Sequence, residues 1–203
     1  MNYDLISFDA QGTLTDAVYS DAFWRDLLPA AYAAALDVSP SALPNLFKLW
    51  GPADPRYYDT ELWLTELFGS LPLADLMRAN DLFPRLYPDM LDLLEQLHPK
   101  TKLIVISSTT HSFLDLELRP ARHLLDRVFS TIDDFDTPAK PPHLYTAIAR
   151  HYSTPPDRCL HIGDRIPEDV DSPRLAGWHS RLLDPDPASR AALREFLGLP
   201  SSH

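Results

Sequence analysis

The sequence predicts an α/β protein: a doubly wound parallel sheet of about five strands with an inserted α-helical cap. Five short apolar runs, several rich in β-branched residues, indicate strands, and helical patterns separate the later ones. A long interval between the first and second runs has helical spacing throughout, although a parallel crossover needs only one helix. With 203 residues, the chain is long enough for one domain with an insertion.

The strands are predicted at residues 3–8, 102–107, 127–131, 159–163 and 179–183. The segment 88–98, "PDMLDLLEQLH", supplies the helix that leads into the second strand. The helical stretches before it, from "DAFWRDLLPAAYAAAL" to "LADLMRAN", are therefore additional. We predict a core formed by residues 1–14 and 85–203 and a helical cap formed by residues 15–84.

Composition excludes several classes of partner. The formal net charge of −11 argues against nucleic acid, because clustered Lys and Arg hold phosphate backbones. No run approaches the ~20 apolar residues that span a bilayer, and the N-terminus lacks the order of a signal peptide. We therefore expect a cytoplasmic protein without a membrane partner. The single cysteine, Cys159, lies in an apolar run and is expected to be a buried, reduced thiol.

Polar residues stand where the predicted strands end. Asp9 follows the first strand in "DAQGT", Ser107 ends the second, and Asp164 and Asp169 follow the fourth in "GDRIPED". Lys140 precedes a predicted helix. Ligands of doubly wound sheets bind outside the carboxyl ends of the strands. In-line phosphoryl transfer uses a carboxylate nucleophile, a divalent cation and donors for the phosphoryl oxygens, which are the residue types found here.

These four features in this order resemble the haloacid dehalogenase (HAD) superfamily, whose core is Rossmann-like. The resemblance covers the whole chain, including the cap. It implies that Asp9 is a nucleophile and that magnesium is the cofactor. The cation would be held by Asp9, by the main-chain carbonyl of Gln11, by Asp164, and by Asp169 either directly or through water. Oxygen ligands of this kind suit magnesium.

The same resemblance implies the residues that bind the substrate, a small phosphorylated or otherwise anionic molecule. Ser107 would bond to the phosphoryl oxygens, and Ser108 competes for that role. Backbone N–H groups of the loops after the first two strands, at Ala10 and Gln11 among others, would assist it. Lys140 would neutralise the nucleophile and the phosphate.

Structural roles are alternatives for the same residues. Asp9 and Lys140 could form an ion pair without catalysis, and Asp164 and Asp169 could cap the helix that follows them. Glu168, beside Asp169, is a rival metal ligand.

Other polar and aromatic residues are weaker candidates. The run "DDFD" at 133–136 has a metal-like composition without ligand spacing and is expected to be a solvated loop. His111 could point into the site, but a surface histidine is the expectation. Five aromatic residues are assigned mainly to the cap core, with one or two able to line a substrate pocket: Trp24, Trp50, Tyr57, Tyr58 and Trp63.

Gln11 departs from the pattern that the resemblance implies. Phosphatases of this superfamily usually have a second aspartate at this position, which protonates the leaving group and then activates water. A glutamine amide donates and accepts hydrogen bonds but cannot transfer a proton. Because acid–base catalysis is typically worth ~10²–10⁴ in rate, the substitution should matter.

Three functions are compatible with Gln11. The favoured one is a magnesium-dependent phosphatase that acts on a small phosphorylated metabolite slowly, or with an acid–base group from elsewhere, such as His111 or the cap. The second is a 2-haloacid dehalogenase, which shares "FDA-x-GTL". Dehalogenases, however, work without metal and use a cap arginine, where this chain has "SPSALP". The third is a catalytically silent protein that binds a ligand or protein partner through the same pocket.

Overall fold

Five parallel strands form the centre of the protein. The structure is a computed structural model, and it describes residues 3–35, 37, 39 and 73–200. The strands are β1 (Leu5–Phe8), β2 (Lys102–Ser107), β3 (Arg127–Ser130), β4 (Cys159–Gly163) and β5 (His179–Leu182). They form one sheet in the order β3-β2-β1-β4-β5. The predicted fold class and all five predicted strands are confirmed.

Helices occupy most of the described chain between the strands. Before β2 the structure has Val18–Ala22, a π-helical turn at Phe23–Leu27, then Leu28–Ala35, Leu73–Ala79 and Pro88–Leu97. After β2 it has His111–Glu117, Thr131–Phe135, Pro142–His151, a π-helical turn at Ile166–Asp171, Ser172–Leu175 and Pro187–Phe196, with 3₁₀ turns at Arg119–Leu124 and Pro156–Arg158. No helix within these described ranges is long and apolar enough to cross a membrane.

Proline and side-chain caps determine where several helices begin. Pro88, Pro142 and Pro187 each occupy the first helical position, where a missing N–H costs no intrahelical bond. The run 133–136, expected to be a loop, lies mostly in the helix Thr131–Phe135. The expectation was wrong because Ser130, at the end of β3, caps this helix by accepting a hydrogen bond from Asp133 N.

Alternating side chains of the strands build a core on each face of the sheet. In β1, Ile6 and Phe8 face a cluster that includes Leu93 and Leu193 from the helices Pro88–Leu97 and Pro187–Phe196. Leu5 faces the opposite cluster, with residues of the helix Pro142–His151. This alternation of period two follows from strand geometry, and it makes the sheet a rigid support covered on both faces.

The described part of the inserted interval packs on the helix His111–Glu117. Phe113 of that helix is fully buried against Phe23, with ring centroids 5.1 Å apart. Trp24 is half-buried against the same cluster, and its assignment to a cap core stays a prediction. The other four predicted cap aromatics lie outside the described residues: Trp50, Tyr57, Tyr58 and Trp63. The boundary of the cap at residues 15–84 stays a prediction.

The strand order identifies the crevice where a ligand would bind. From the central β1 the chain continues to β2 and β3 on one side, and then returns to β4 and β5 on the other. Strand order therefore reverses between β1 and β4. In open α/β sheets this switch point, at the carboxyl ends of the strands, is where ligands bind.

We expect Phe113→Ala to lower the free energy of unfolding by about 3–5 kcal/mol, because it removes a fully buried ring that joins the inserted helices to the core. Urea unfolding followed by circular dichroism measures the change. Asp115→Ala, at an exposed position of the same helix, is the matched control and should stay within about 0.5 kcal/mol. Equal losses in the two variants would contradict this account of the packing.

Candidate active site

Asp9 is the first residue after β1, and the sheet determines its position. Its backbone N–H donates to the carbonyl of Ile162 in β4 at 2.8 Å, which extends the strand pairing by one residue. The chain then turns, and the Ala10 carbonyl accepts hydrogen bonds from the N–H groups of Leu14 and Thr15 at 2.8 and 3.0 Å. Asp9 is thereby placed, 6% exposed, at the switch point between β1 and β4.

Two glycines allow carboxylates to approach the main chain closely. Gly12 has φ +79°, and a Cβ added there would lie 2.5 Å from Asp164 Oδ2. A Cβ added to Gly163 would lie 2.4 Å from Asp169 Cγ. A side chain at either position would have to displace the neighbouring aspartate, and at Gly12 the positive φ would also strain it. Asp164 therefore packs directly against Gly12, and Asp169 packs directly against Gly163.

Lys140 joins two of the acids. Its Nζ lies 2.9 Å from Asp9 Oδ1 and 2.6 Å from Asp169 Oδ1, and the lysine side chain is 2% exposed. Burial alone would lower the pKa of Lys140, but the charges of Asp9 and Asp169 raise it above its usual value. The lysine is therefore charged at neutral pH and lies between the two carboxylates.

His161 and Ser7 support Asp169 from inside the sheet, and no sequence pattern predicted either contact. His161 Nε2 lies 3.0 Å from Asp169 Oδ1, and its Nδ1 lies 2.5 Å from Ser7 Oγ. Burial lowers the pKa of His161, so the ring is neutral and donates from Nε2 to the carboxylate. The N–H of Arg165 donates to Asp169 Oδ2 at 2.9 Å.

Asp169 is fixed by these contacts and stays ionised. Burial would raise its pKa, but the charge of Lys140 and the bond from His161 outweigh burial and hold the pKa well below its usual range.

A buried histidine in an apolar strand is ordinarily a core residue, so the residue type alone did not predict the role of His161. Its strand position, two residues before the glycine of "GD", was the available clue.

Asp164 completes a cluster of three acids. One carboxylate oxygen from each of Asp9, Asp164 and Asp169 lies within 4.8 Å of the others. Burial, and then the negative charges of Asp9 and Asp169, raise the pKa of Asp164 to about 6. Asp164 Oδ1 is buried and has no hydrogen-bond partner in the described part of the chain. Glu168, the rival acid, is not in the cluster and lies 3.4 Å from Arg165.

The donor set fits a hard divalent cation. Converging carboxylate oxygens are the ligands that magnesium takes in proteins. A cation would relieve the repulsion that raises the pKa of Asp164, and it would give the buried Asp164 Oδ1 a partner. The main-chain carbonyl of Gln11 as a further ligand stays a prediction.

Hydroxyl groups lie on the loops that follow β1 and β2. Ser107 ends β2 and is 2% exposed. Ser108 Oγ and Thr13 Oγ1 are buried, and neither has a hydrogen-bond partner among the described residues. Buried polar atoms are usually paired, so a ligand with several acceptor oxygens would suit them. Ser107 and Ser108 both stay candidates for the second-motif hydroxyl.

Gln11 contacts a buried acid that sequence reasoning missed. Its Nε2 donates to Glu117 Oε1 at 2.6 Å, and the Tyr19 hydroxyl donates to the same oxygen. Thr15 Oγ1 donates to Glu117 Oε2 at 3.5 Å. Glu117 is 1% exposed, and burial raises its pKa to about 7 against the opposing effect of these hydrogen bonds. Gln11 is therefore part of a polar cluster that joins the β1 loop to the helix His111–Glu117.

His111, the candidate for an acid–base role, binds a neighbouring helix. Its Nε2 lies 3.1 Å from Asp134 Oδ2, and its backbone N–H donates to Asp133 Oδ2 at 2.5 Å. Its side chain is 38% exposed, as expected for a surface histidine. Asp133 and Asp134 therefore fix the start of the helix His111–Glu117.

Comparison with known proteins identifies the family. Residues 3–177 match the family model described as haloacid dehalogenase-like hydrolase. The uncharacterized protein YMR130W of Saccharomyces cerevisiae is 29% identical over 222 residues, which cover 89% of this chain and 71% of that protein.

Solved structures at lower identity share the fold. The HAD phosphatase from Thermococcus onnurineus is 20% identical, with a TM-score of 0.77 and complete coverage of both chains. YfnB from Bacillus subtilis, solved bound to magnesium, is 17% identical, with a TM-score of 0.67 and coverage of 98% of this chain and 100% of YfnB. The family match spans most of the chain and includes Asp9, Lys140, Asp164 and Asp169, so the protein belongs to the haloacid dehalogenase-like hydrolases.

Proposed function

We propose that this hydrolase is a magnesium-dependent phosphatase that acts on a small phosphorylated metabolite through a phosphorylated Asp9. The observation that supports it most strongly is the arrangement of three carboxylates and one buried lysine at the switch point of the sheet. A cluster with this excess of negative charge, on a chain of net charge −11, would bind an anionic substrate poorly without a cation.

Asp9 and Asp164 would hold the magnesium ion, with Asp169 beside them. The main-chain carbonyl of Gln11 would complete the protein ligands. When bound, the ion supplies positive charge that neutralises the nucleophile and the phosphoryl oxygens. Asp169 is already bonded to Lys140, His161 and the Arg165 N–H, so its contribution is mainly to position Lys140.

Asp9 would attack the phosphorus in line with the leaving oxygen. A bond forms between the Asp9 carboxylate oxygen and phosphorus, the bond from phosphorus to the ester oxygen breaks, and the alcohol leaves with a proton from solvent. Lys140 holds Asp9 in place and offsets charge on the phosphoryl group. Ser107 or Ser108 would donate to a phosphoryl oxygen. Water then attacks phosphorus, the Asp9–phosphorus bond breaks and phosphate is released.

We expect Asp9→Asn to abolish hydrolysis of p-nitrophenyl phosphate in the presence of magnesium, because the amide cannot act as the nucleophile. Initial rates of p-nitrophenol release measure the effect. Asp157→Asn, at an exposed position far along the chain, is the matched control and should keep the wild-type rate. Equal turnover by wild type and Asp9→Asn would exclude this mechanism. A wild type without turnover on any phosphate ester would favour the silent binding protein.

Magnesium should raise the thermal midpoint of unfolding, because it binds the folded protein at the acid cluster. At a concentration 100 times its dissociation constant the stabilisation is about 2.7 kcal/mol. Asp164→Asn should lose most of this shift, whereas Glu168→Gln should retain it, since Glu168 pairs with Arg165 outside the cluster. Scanning calorimetry with and without magnesium measures the shifts. An equal shift in wild type and Asp164→Asn would place the cation elsewhere.

2-Haloacids should not be the main substrates. A dehalogenase works without a cation, whereas this site concentrates three carboxylates. Release of chloride from 2-chloropropionate, measured with and without magnesium, should stay below the rate on p-nitrophenyl phosphate. Metal-free, stereoselective chloride release that exceeds every phosphatase activity would contradict this prediction.

A further inference from the structure

Glu117 is a buried acid outside the cluster of Asp9, Asp164 and Asp169, in a position that is unfavourable for a carboxylate. It is the last residue of the helix His111–Glu117, where the helix dipole disfavours negative charge. It is also 1% exposed, and burying a carboxylate is costly unless it is well bonded. The hydrogen bonds given above come from three residues on the chain that follows Asp9: Gln11, Thr15 and Tyr19.

These bonds determine which way the Gln11 amide points. Glu117 Oε1 accepts from both the Gln11 Nε2 and the Tyr19 hydroxyl, so the NH₂ end of the amide is committed to Glu117. The carbonyl oxygen of Gln11 is at the other end of the same planar group. It is the end of the amide that is not bonded to Glu117, and it can only accept a hydrogen bond.

We propose that Glu117 is a positioning residue that orients the Gln11 side chain. In this orientation the side-chain amide oxygen of Gln11 accepts a hydrogen bond from the water that hydrolyses phosphorylated Asp9. This inference rests on the proposed function. Gln11 is the second residue after the nucleophile, on the loop that follows β1. Elsewhere in phosphoryl transfer a glutamine also orients the attacking water without removing its proton.

Hydrolysis of phosphorylated Asp9 does not require an acid–base residue at position 11. The water oxygen forms a bond to phosphorus, the bond between phosphorus and the Asp9 oxygen breaks, and its electron pair returns to the Asp9 carboxylate. Both protons of the water end on the released phosphate. Glu117 touches neither water nor phosphate, and it acts only through the orientation of Gln11.

An isosteric exchange of the two residues tests this arrangement. Glu117→Gln alone removes the carboxyl group that holds the Gln11 amide, and Gln11→Glu alone brings two carboxyl groups to hydrogen-bond distance, where they share a proton. Because Gln11→Glu also adds an acid–base group, its kcat does not test the inference. In the double variant Gln11→Glu/Glu117→Gln, the amide at position 117 donates to the carboxylate at position 11. The hydrogen bond is kept, with donor and acceptor exchanged. Glu195→Gln, an exposed change, is the control for loss of a carboxylate.

Five proteins are compared: the wild type, the two single variants, the double variant and the control. Urea unfolding measures their stability, and hydrolysis of p-nitrophenyl phosphate with magnesium gives their kcat and KM. Glu117→Gln should lose about tenfold or more in kcat with little change in kcat/KM, because it slows the hydrolysis of phosphorylated Asp9 and not substrate binding or the attack by Asp9. The double variant should recover stability, since the hydrogen bond between positions 11 and 117 is kept with donor and acceptor exchanged. Glu195→Gln should match the wild type.

Two results would overturn the inference, and they differ from each other. If stability shows coupling between positions 11 and 117 but kcat of Glu117→Gln stays at the wild-type value, Glu117 is structural only. If none of the proteins, including the wild type, turns over phosphate esters, the proposed function fails and the inference fails with it.

Discussion

Repulsion among three carboxylates is the constraint on which the site depends. Asp9, Asp164 and Asp169 converge at the ends of two adjacent strands, and Lys140 offsets only part of their charge. The surrounding structure fits this arrangement. Glycines lie where a Cβ would displace Asp164 or Asp169, and a neutral histidine inside the sheet donates to Asp169. Such concentrated charge destabilises a folded protein unless a cation neutralises it, which supports the proposed magnesium site.

The helix His111–Glu117 connects the inserted segment to this site. Phe113 and Glu117 are four residues apart and therefore lie on the same side of the helix. Phe113 packs against the inserted helices, whereas Glu117 binds the Gln11 amide. Tyr19 belongs to both groups, since it packs in the cluster with Phe113 and donates to Glu117. Docking of the inserted segment and orientation of Gln11 thus depend on one short helix.

The sequence was sufficient to predict the parts of the molecule that follow local rules. Apolar runs located the five strands, and the carboxyl ends of parallel strands meet at one edge, which brought Asp9 and Asp164 together. The partners of these residues were less accessible. Glu117 meets Gln11 across 106 positions of the chain, and His161 meets Ser7 across 154. Both depend on tertiary contacts that a single sequence does not encode locally, and the Ser130 cap that makes 131–135 helical was also missed.

The most direct test of the account is to locate the phosphoryl group. Wild-type protein is mixed with p-nitrophenyl phosphate and magnesium, quenched in acid within the first turnovers and digested, and the peptides are analysed by mass spectrometry. The account predicts one phosphoryl group on Asp9, dependent on magnesium and absent from Asp157 and every other acidic residue. Steady hydrolysis of the ester with the phosphoryl group on another residue would contradict it.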